Sequence, residues 1–141
     1  MKKFLILTAC VIIIAVAIII LIPQDGNNNK IQNKGSLYDQ QAHKICTMLT
    51  TASNLYKAKK YEEAAKTSDS AYWDVYDNIM EIKYRSFASP GDIFEVENKF
   101  HSYTSKLRSP YTSQSMSQII KHRDILCNEM YKEAKILNQN S

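Results

Sequence analysis

The chain has no short motif that carries a known reaction. It contains no His-Glu-x-x-His, no Glu-x-x-His repeated on two helices, and no glycine-rich phosphate loop among its three glycines. None of its serines and threonines stands in a nucleophile-elbow setting. Because neither a paired acid and base nor an activated nucleophile is present, the sequence predicts a protein that is not an enzyme.

An excess of one charge is also lacking. The chain has eighteen lysines and arginines against fourteen aspartates and glutamates, a formal net charge of +4. Lys2 and Lys3 account for two of the positive charges, so the net charge after residue 22 is +2. A nucleic-acid partner requires a basic surface that binds phosphates. This near-neutral balance provides none, and we expect no nucleic-acid partner.

What the chain does have is one long apolar run. Residues 4–22 carry no charge and follow Lys2 and Lys3. As a helix this run would span about 28 Å, close to the hydrocarbon thickness of a bilayer. The pattern favours a transmembrane signal anchor at residues 1–22, in contact with the lipid bilayer. The two lysines favour a cytoplasmic N-terminus, so we expect a single-pass inner-membrane protein whose remainder is periplasmic or extracellular.

Two other interpretations of this run stay open. A cleaved signal peptide needs small residues after a shorter apolar stretch; Ala15 and Ala17 are small, but the apolar run continues past them. A lipoprotein signal is suggested by the four residues that end at Cys10. The apolar lead before Cys10 is short, however, and most of the run follows it.

Beyond the apolar run, composition separates a linker from one domain. Residues 23–35 are rich in Asn, Gly and Lys and have no apolar pattern, as is typical of a flexible linker. Residues 36–141 are enough for one small extracytoplasmic domain. Cys46 and Cys127 lie within it, and outside the cytoplasm such a pair is most simply a disulfide. Two buried free thiols and a metal-binding pair are the alternatives.

The domain shows four successive helical patterns and no strand pattern. Ser36 can cap the first helix, and the second extends over about residues 61–87. Ser89 and Pro90 suit the start of the third helix, and Pro110 separates it from the fourth. Short connections favour antiparallel neighbours. We therefore predict an all-α fold, an N-terminal transmembrane helix followed by an up-down-up-down four-helix bundle.

The second helix carries two apolar stripes rather than one. The first stripe consists of Tyr61, Ala64, Ser68, Ala71, Tyr72, Val75, Ile79 and Ile82. The second consists of Trp73, Tyr76, Met80, Tyr84 and Phe87. A helix that is apolar on two sides contacts two neighbours, or one neighbour and an outside partner. We predict that Trp73, Tyr76 and Tyr84 form a partner interface, with core packing as the alternative.

Carboxylates recur at helical spacing on the same helix. Asp74, Asp77 and Glu81 stand at i, i+3 and i+7, while Glu97 and His101 stand at i and i+4 on the third helix. Oxygen ligands suit hard cations, and clustered carboxylates on bundle helices can hold iron. These five residues are the predicted metal ligands, for iron or another divalent or trivalent cation. On a helical wheel the three from the second helix lie about 150° from the first stripe, so a solvated polar face is their default interpretation. For Glu97 and His101 the default is ordinary hydrogen bonding at the surface.

A resemblance covers residues 56–107. The residues that carry it are Tyr56, Tyr61, Ala64, the run Ala71-Tyr72-Trp73-Asp74-Val75-Tyr76-Asp77, Met80-Glu81 and Glu97-x-x-Phe100. In order and spacing they resemble the extracytoplasmic N-terminal helical region of bacterial high-affinity iron permeases, the Ftr-type iron transporter family. Asp77 replaces a Glu of the family pattern, and Ile79 replaces a Gly. The family transports iron through membrane helices with Arg-Glu-x-x-Glu, which this chain lacks.

The resemblance implies a detached extracytoplasmic module that meets a metal carrier or a separate permease. Combined with the apolar run, it predicts a non-catalytic, membrane-anchored binding or accessory module in metal, specifically iron, uptake. Its expected partner is a membrane permease or another envelope protein. The alternative is a membrane-anchored interaction, assembly or scaffold protein with no metal role.

Overall fold

The computed structural model describes residues 36–141, which are all-helical and contain no strand. The four helices, with the second in three consecutive parts, are α1 (Leu37–Lys57), α2 (Tyr61–Ser70, Ala71–Glu81 and Ile82–Tyr84), α3 (Pro90–Leu107) and α4 (Ser113–Gln139). Within this part of the chain, no helix combines the length and apolarity that a membrane span needs. The predicted anchor, its alternatives and the linker lie outside the described residues.

The helix starts are set by side chains that bond to the first turn. Ser36 Oγ accepts from the backbone N–H of Asp39, as predicted. Ser89 and Asp92 form a reciprocal capping box at the start of α3, where Pro90 occupies the first turn. Thr112 and Ser115 form a second box at the start of α4. These bonds satisfy N–H groups that have no partner inside the helix.

Helices α1 and α4 are antiparallel neighbours that are also joined covalently. The structure pairs Cys46 with Cys127, whose Cα atoms lie 5.4 Å apart, within the usual range for a disulfide. At the end of α1, the Tyr56 hydroxyl donates to the carbonyl of Pro110 at 3.0 Å, just before α4 begins. At the start of α1, Tyr38 lines the same cleft as Leu137.

Buried polar bonds connect the other neighbours. Ser68 Oγ on α2 lies 2.7 Å from Thr104 Oγ1 on α3, and both residues are buried. The Tyr103 hydroxyl on α3 donates to the carbonyl of Leu49 on α1 at 2.9 Å and lies 2.8 Å from Ser53 Oγ. Because such bonds are costly to leave unmade in an apolar interior, they fix how far one helix can slide along the next.

The middle of α2 departs from α-helical geometry. Residues Ala71–Glu81 form a π-helix, whose i to i+5 hydrogen bonds give a wider turn than those of an α-helix. The Asn78 side chain also donates to the carbonyl of Trp73, five residues earlier. The buried positions follow this wider turn and occur as the pairs Ala71 and Tyr72, Val75 and Tyr76, and Met80 and Glu81.

The wider turn corrects both predicted stripes. In the first stripe, Ile79 is only partly buried and Ile82 is exposed over 58% of its surface. In the second, Tyr76 and Met80 are completely buried. A spacing of 3.6 residues assigns these positions to the wrong faces. Each π-helical turn contains about one residue more than an α-helical turn, so successive buried positions lie farther apart in the sequence.

Candidate cation site on the second helix

Glu81 is a carboxylate in the interior of the domain. The side chain is completely buried, because the π-helix turns it to the same side as Met80. Its Oε1 accepts hydrogen bonds from Arg85, at 2.9 Å from Nε and in closer contact with Nη2. Its Oε2 has no hydrogen-bond partner among the described residues. The predicted solvated face is therefore wrong for Glu81.

Two further predicted ligands, Asp77 and Glu97, affect the pKa values of residues that Glu81 also affects. Burial raises the pKa of Tyr72 to about 12, and the negative charges of Glu97, Glu81 and Asp77 add to the rise. The pKa of Arg85 is also raised, first by its hydrogen bond to Glu81 and, more weakly, by the charges of Glu97 and Asp77. The negative charges of three of the five predicted ligands thus influence the same arginine and the same tyrosine.

The other two predicted ligands are exposed at the surface. His101 is exposed, and its ring meets the Tyr72 ring edge-on at a centroid distance of 4.9 Å. It is also 6.3 Å from the ring of Trp73. Asp74 is exposed on the outer surface of α2. The predicted set of five is therefore divided between an interior carboxylate, two half-buried ones and two surface groups.

No preformed metal cage is present in residues 36–141. Nowhere in this range do three or more His, Cys, Asp or Glu side chains stand where they could hold an ion together. Instead the Arg85 guanidinium supplies the positive charge beside Glu81. The side chain of Arg85 is 62% exposed. Most of the Arg85 side chain therefore faces solvent, whereas its partner Glu81 does not.

A second buried carboxylate was missed by the sequence analysis. Glu133 on α4 is only 1% exposed, and its Oε1 accepts from the Tyr76 hydroxyl at 3.4 Å. Its Oε2 has no partner in the described part of the chain. Burial raises the pKa of Glu133 to about 8, helped by the charges of Glu129 and Glu81. The available signal was its position between Met130 and Leu137 on an otherwise apolar face.

The predicted aromatic interface is only partly at the surface. Trp73 is 51% exposed, Tyr84 is half-buried, and Tyr76 is buried against Phe100 with ring centroids 5.2 Å apart. Tyr76 is completely buried and its hydroxyl donates a hydrogen bond to Glu133, so it is a core residue. This corrects its prediction as an interface residue, because the π-helical turn brings it under the α3 side of the domain.

Comparison of the chain with protein-family models, with curated proteins and with solved structures finds no match. The resemblance to the N-terminal region of iron permeases therefore remains a sequence-based hypothesis.

Proposed function

We propose that this protein is a non-catalytic binding module held at the inner membrane by residues 1–22. In this proposal, residues 36–141 form an up-down-up-down four-helix bundle on the extracytoplasmic side. The module takes up a hard cation, such as iron, at Glu81 and serves a membrane permease or another envelope protein. The resemblance over residues 56–107 supports the iron assignment, and the apolar run supports the location.

The observation that carries the proposal is the incomplete pairing of Glu81. A buried carboxylate is costly unless hydrogen bonds or opposite charge compensate it. Arg85 satisfies only Oε1, while Oε2 stays buried and unpaired among the described residues. A cation that replaced Arg85 would meet both oxygens of Glu81. The nearby charges of Asp77 and Glu97 would add to its attraction, and oxygen ligands of this kind suit iron and manganese.

Calorimetric titration of the full-length protein in lipid nanodiscs with Fe²⁺ and Mn²⁺ tests this function. We expect one saturable site, which Glu81→Gln abolishes. Arg85→Gln removes the competing positive charge, so we expect it to bind the cation several-fold more tightly. Glu62→Gln is the matched control, because Glu62 is exposed and lies outside the cluster.

The proposal fails if the wild-type protein releases no heat with either ion. It also fails if Glu81→Gln binds as tightly as Glu62→Gln does. A result in which Arg85→Gln weakens binding would contradict the exchange of arginine for cation, since it would make Arg85 part of the binding site.

An interaction protein without a metal role is the second candidate. Trp73 is half exposed and sits beside the exposed His101 ring, and large aromatic side chains are common anchors of protein interfaces. Cross-linking in intact membranes should then capture one envelope protein with the wild type and lose it with Trp73→Ala. Capture that is unchanged in Trp73→Ala would contradict this candidate.

A further inference from the structure

Four of the large exposed hydrophobic side chains belong to the same end of the domain. They are Leu37 at the start of α1, Ile82 in the last turn of α2, Phe87 after α2 and Phe94 in the first turns of α3. We call these four residues the apolar rim. Isolated exposed hydrophobic residues are ordinary, but several gathered at one end of a small domain indicate a contact with something apolar.

Two clefts show that these elements meet at one end. One is about 290 Å³ and brings Tyr38, Phe87 and Leu137 together, which joins the start of α1, the end of α2 and the end of α4. The other is about 390 Å³ and is lined by Pro90 and Phe94, together with Arg85 and Ala88 from the connection after α2. The rim therefore surrounds the end of the domain at which residue 36 enters.

The sequence before residue 36 determines what lies near this end. Only thirteen residues, 23–35, separate the apolar run from the start of the domain. The apolar rim therefore lies at the end of the domain that follows the apolar run most closely in sequence. The start of α4 lies at the other end of a helix of 27 residues.

We propose that the apolar rim docks on the bilayer at the boundary between headgroups and acyl chains. This inference rests on the membrane anchor in the proposed function. Aromatic and aliphatic side chains partition favourably into that boundary layer, and a lysine beside them can contact lipid phosphates. Lys83 is exposed and lines the same cleft as Phe87. The partner is thus the lipid surface itself.

Depth-dependent fluorescence quenching in the full-length protein tests the docking. The protein is reconstituted into vesicles of phosphatidylethanolamine and phosphatidylglycerol at 3:1, with and without brominated acyl chains. Trp73→Phe removes the single native tryptophan, and Phe87→Trp, Phe94→Trp or Ile120→Trp then introduces one probe. Ile120 is the matched control, because it is an exposed hydrophobic residue near the opposite end of α4 from Leu137.

Docking predicts that brominated lipids quench Phe87→Trp and Phe94→Trp at least twofold more than Ile120→Trp. If either rim variant fails to fold by circular dichroism, Leu37→Trp provides the same measurement. Vesicles that float with the protein but leave the rim probes unquenched would overturn the docking and leave the anchor intact. Equal quenching at all three positions would overturn it too. Protein that does not float with the vesicles would refute the anchor, and the docking with it.

Discussion

Two regions of the domain differ in what they bury. One is the pair of helices α1 and α4, and the other is the π-helical part of α2. In the pair, apolar positions recur at ordinary helical spacing and a disulfide joins Cys46 to Cys127. In the π-helical part, the turn is wider and the interior receives Glu81, a carboxylate with one unpaired oxygen. The first region is arranged for stability. The second places a partly unpaired carboxylate in the interior, which is costly unless hydrogen bonds or opposite charge compensate it.

This difference gives the two regions opposite responses to mutation. Removing any part of the α1–α4 contact should weaken the fold. Removing the charge at Glu81 should strengthen it, because the desolvation of a buried carboxylate is then avoided. Both responses can be measured by chemical denaturation of the same protein.

The largest effect is expected from the disulfide. Replacing both cysteines by Cys46→Ser and Cys127→Ser opens a link between residues 81 apart. The chain-entropy argument predicts a loss of about 4 kcal/mol in the free energy of unfolding. Urea denaturation measures it, and Cys10→Ser is the control. A double variant as stable as the wild type would show that packing alone holds α1 against α4.

The next effect concerns pH and Glu133. In the unfolded chain its carboxyl loses a proton near its ordinary pKa of 4.5, whereas in the folded protein it keeps the proton up to about pH 8. Between these values the folded state binds more protons, so stability should fall as pH rises and level off above pH 8. The total loss is on the order of a few kcal/mol.

Glu133→Gln should remove this dependence, because an amide does not titrate. The variant should match the wild type near pH 5 and exceed it at pH 8.5, in denaturation curves recorded across the range. Glu62→Gln, an exposed carboxylate, should keep the wild-type slope. A wild-type protein whose stability rises between pH 5 and pH 8 would contradict a protonated Glu133.

A smaller effect of opposite sign is expected at Glu81. Glu81→Met replaces a buried charge by an apolar side chain of similar volume, while the exposed Arg85 remains hydrated. We expect a gain of about 1–4 kcal/mol in the free energy of unfolding, together with loss of cation binding. Glu95→Met, at an exposed carboxylate paired with the partly buried Lys99, should change stability by less than about 0.5 kcal/mol. Destabilisation by Glu81→Met would erase the contrast between the two regions.

The smallest effect concerns the start of α3. Ser89→Ala removes the cap that accepts from the backbone of Asp92 and should cost about 1 kcal/mol. Ser105→Ala, at an exposed position in the same helix, should not destabilise, because alanine has the higher helix propensity. Equal responses to the two substitutions would mean that the cap does not contribute to stability.

The helices and their starts could be predicted from the sequence because their causes are local. Ser36 and Ser89 act on backbone groups three residues away, and Pro90 fits only the first turn. The pairing of Cys46 with Cys127 followed from there being two cysteines in the domain and from the expected neighbours. These inferences need no knowledge of how α2 winds.

The interior of the candidate site could not be predicted, because it depends on how α2 winds. Its residues were assigned to helix faces with a period of 3.6 residues. In the π-helix, Glu81 is buried where Ile82 was expected, and Tyr76 is buried as well. Glu133 was overlooked because a carboxylate at an apolar position is normally turned to water. The hydrogen bond from Tyr76 on α2 is what compensates Glu133 in the interior of the domain.

The bridge between Cys46 and Cys127 also governs how the protein would respond to proteolysis. The exposed connections after α1, α2 and α3 all fall between these two cysteines. A protease that cuts at any one of them leaves both fragments covalently attached to each other. The nicked protein would run as a single species on a non-reducing gel and separate into two only after reduction, and its C-terminal portion would stay tethered to whatever holds the N-terminus.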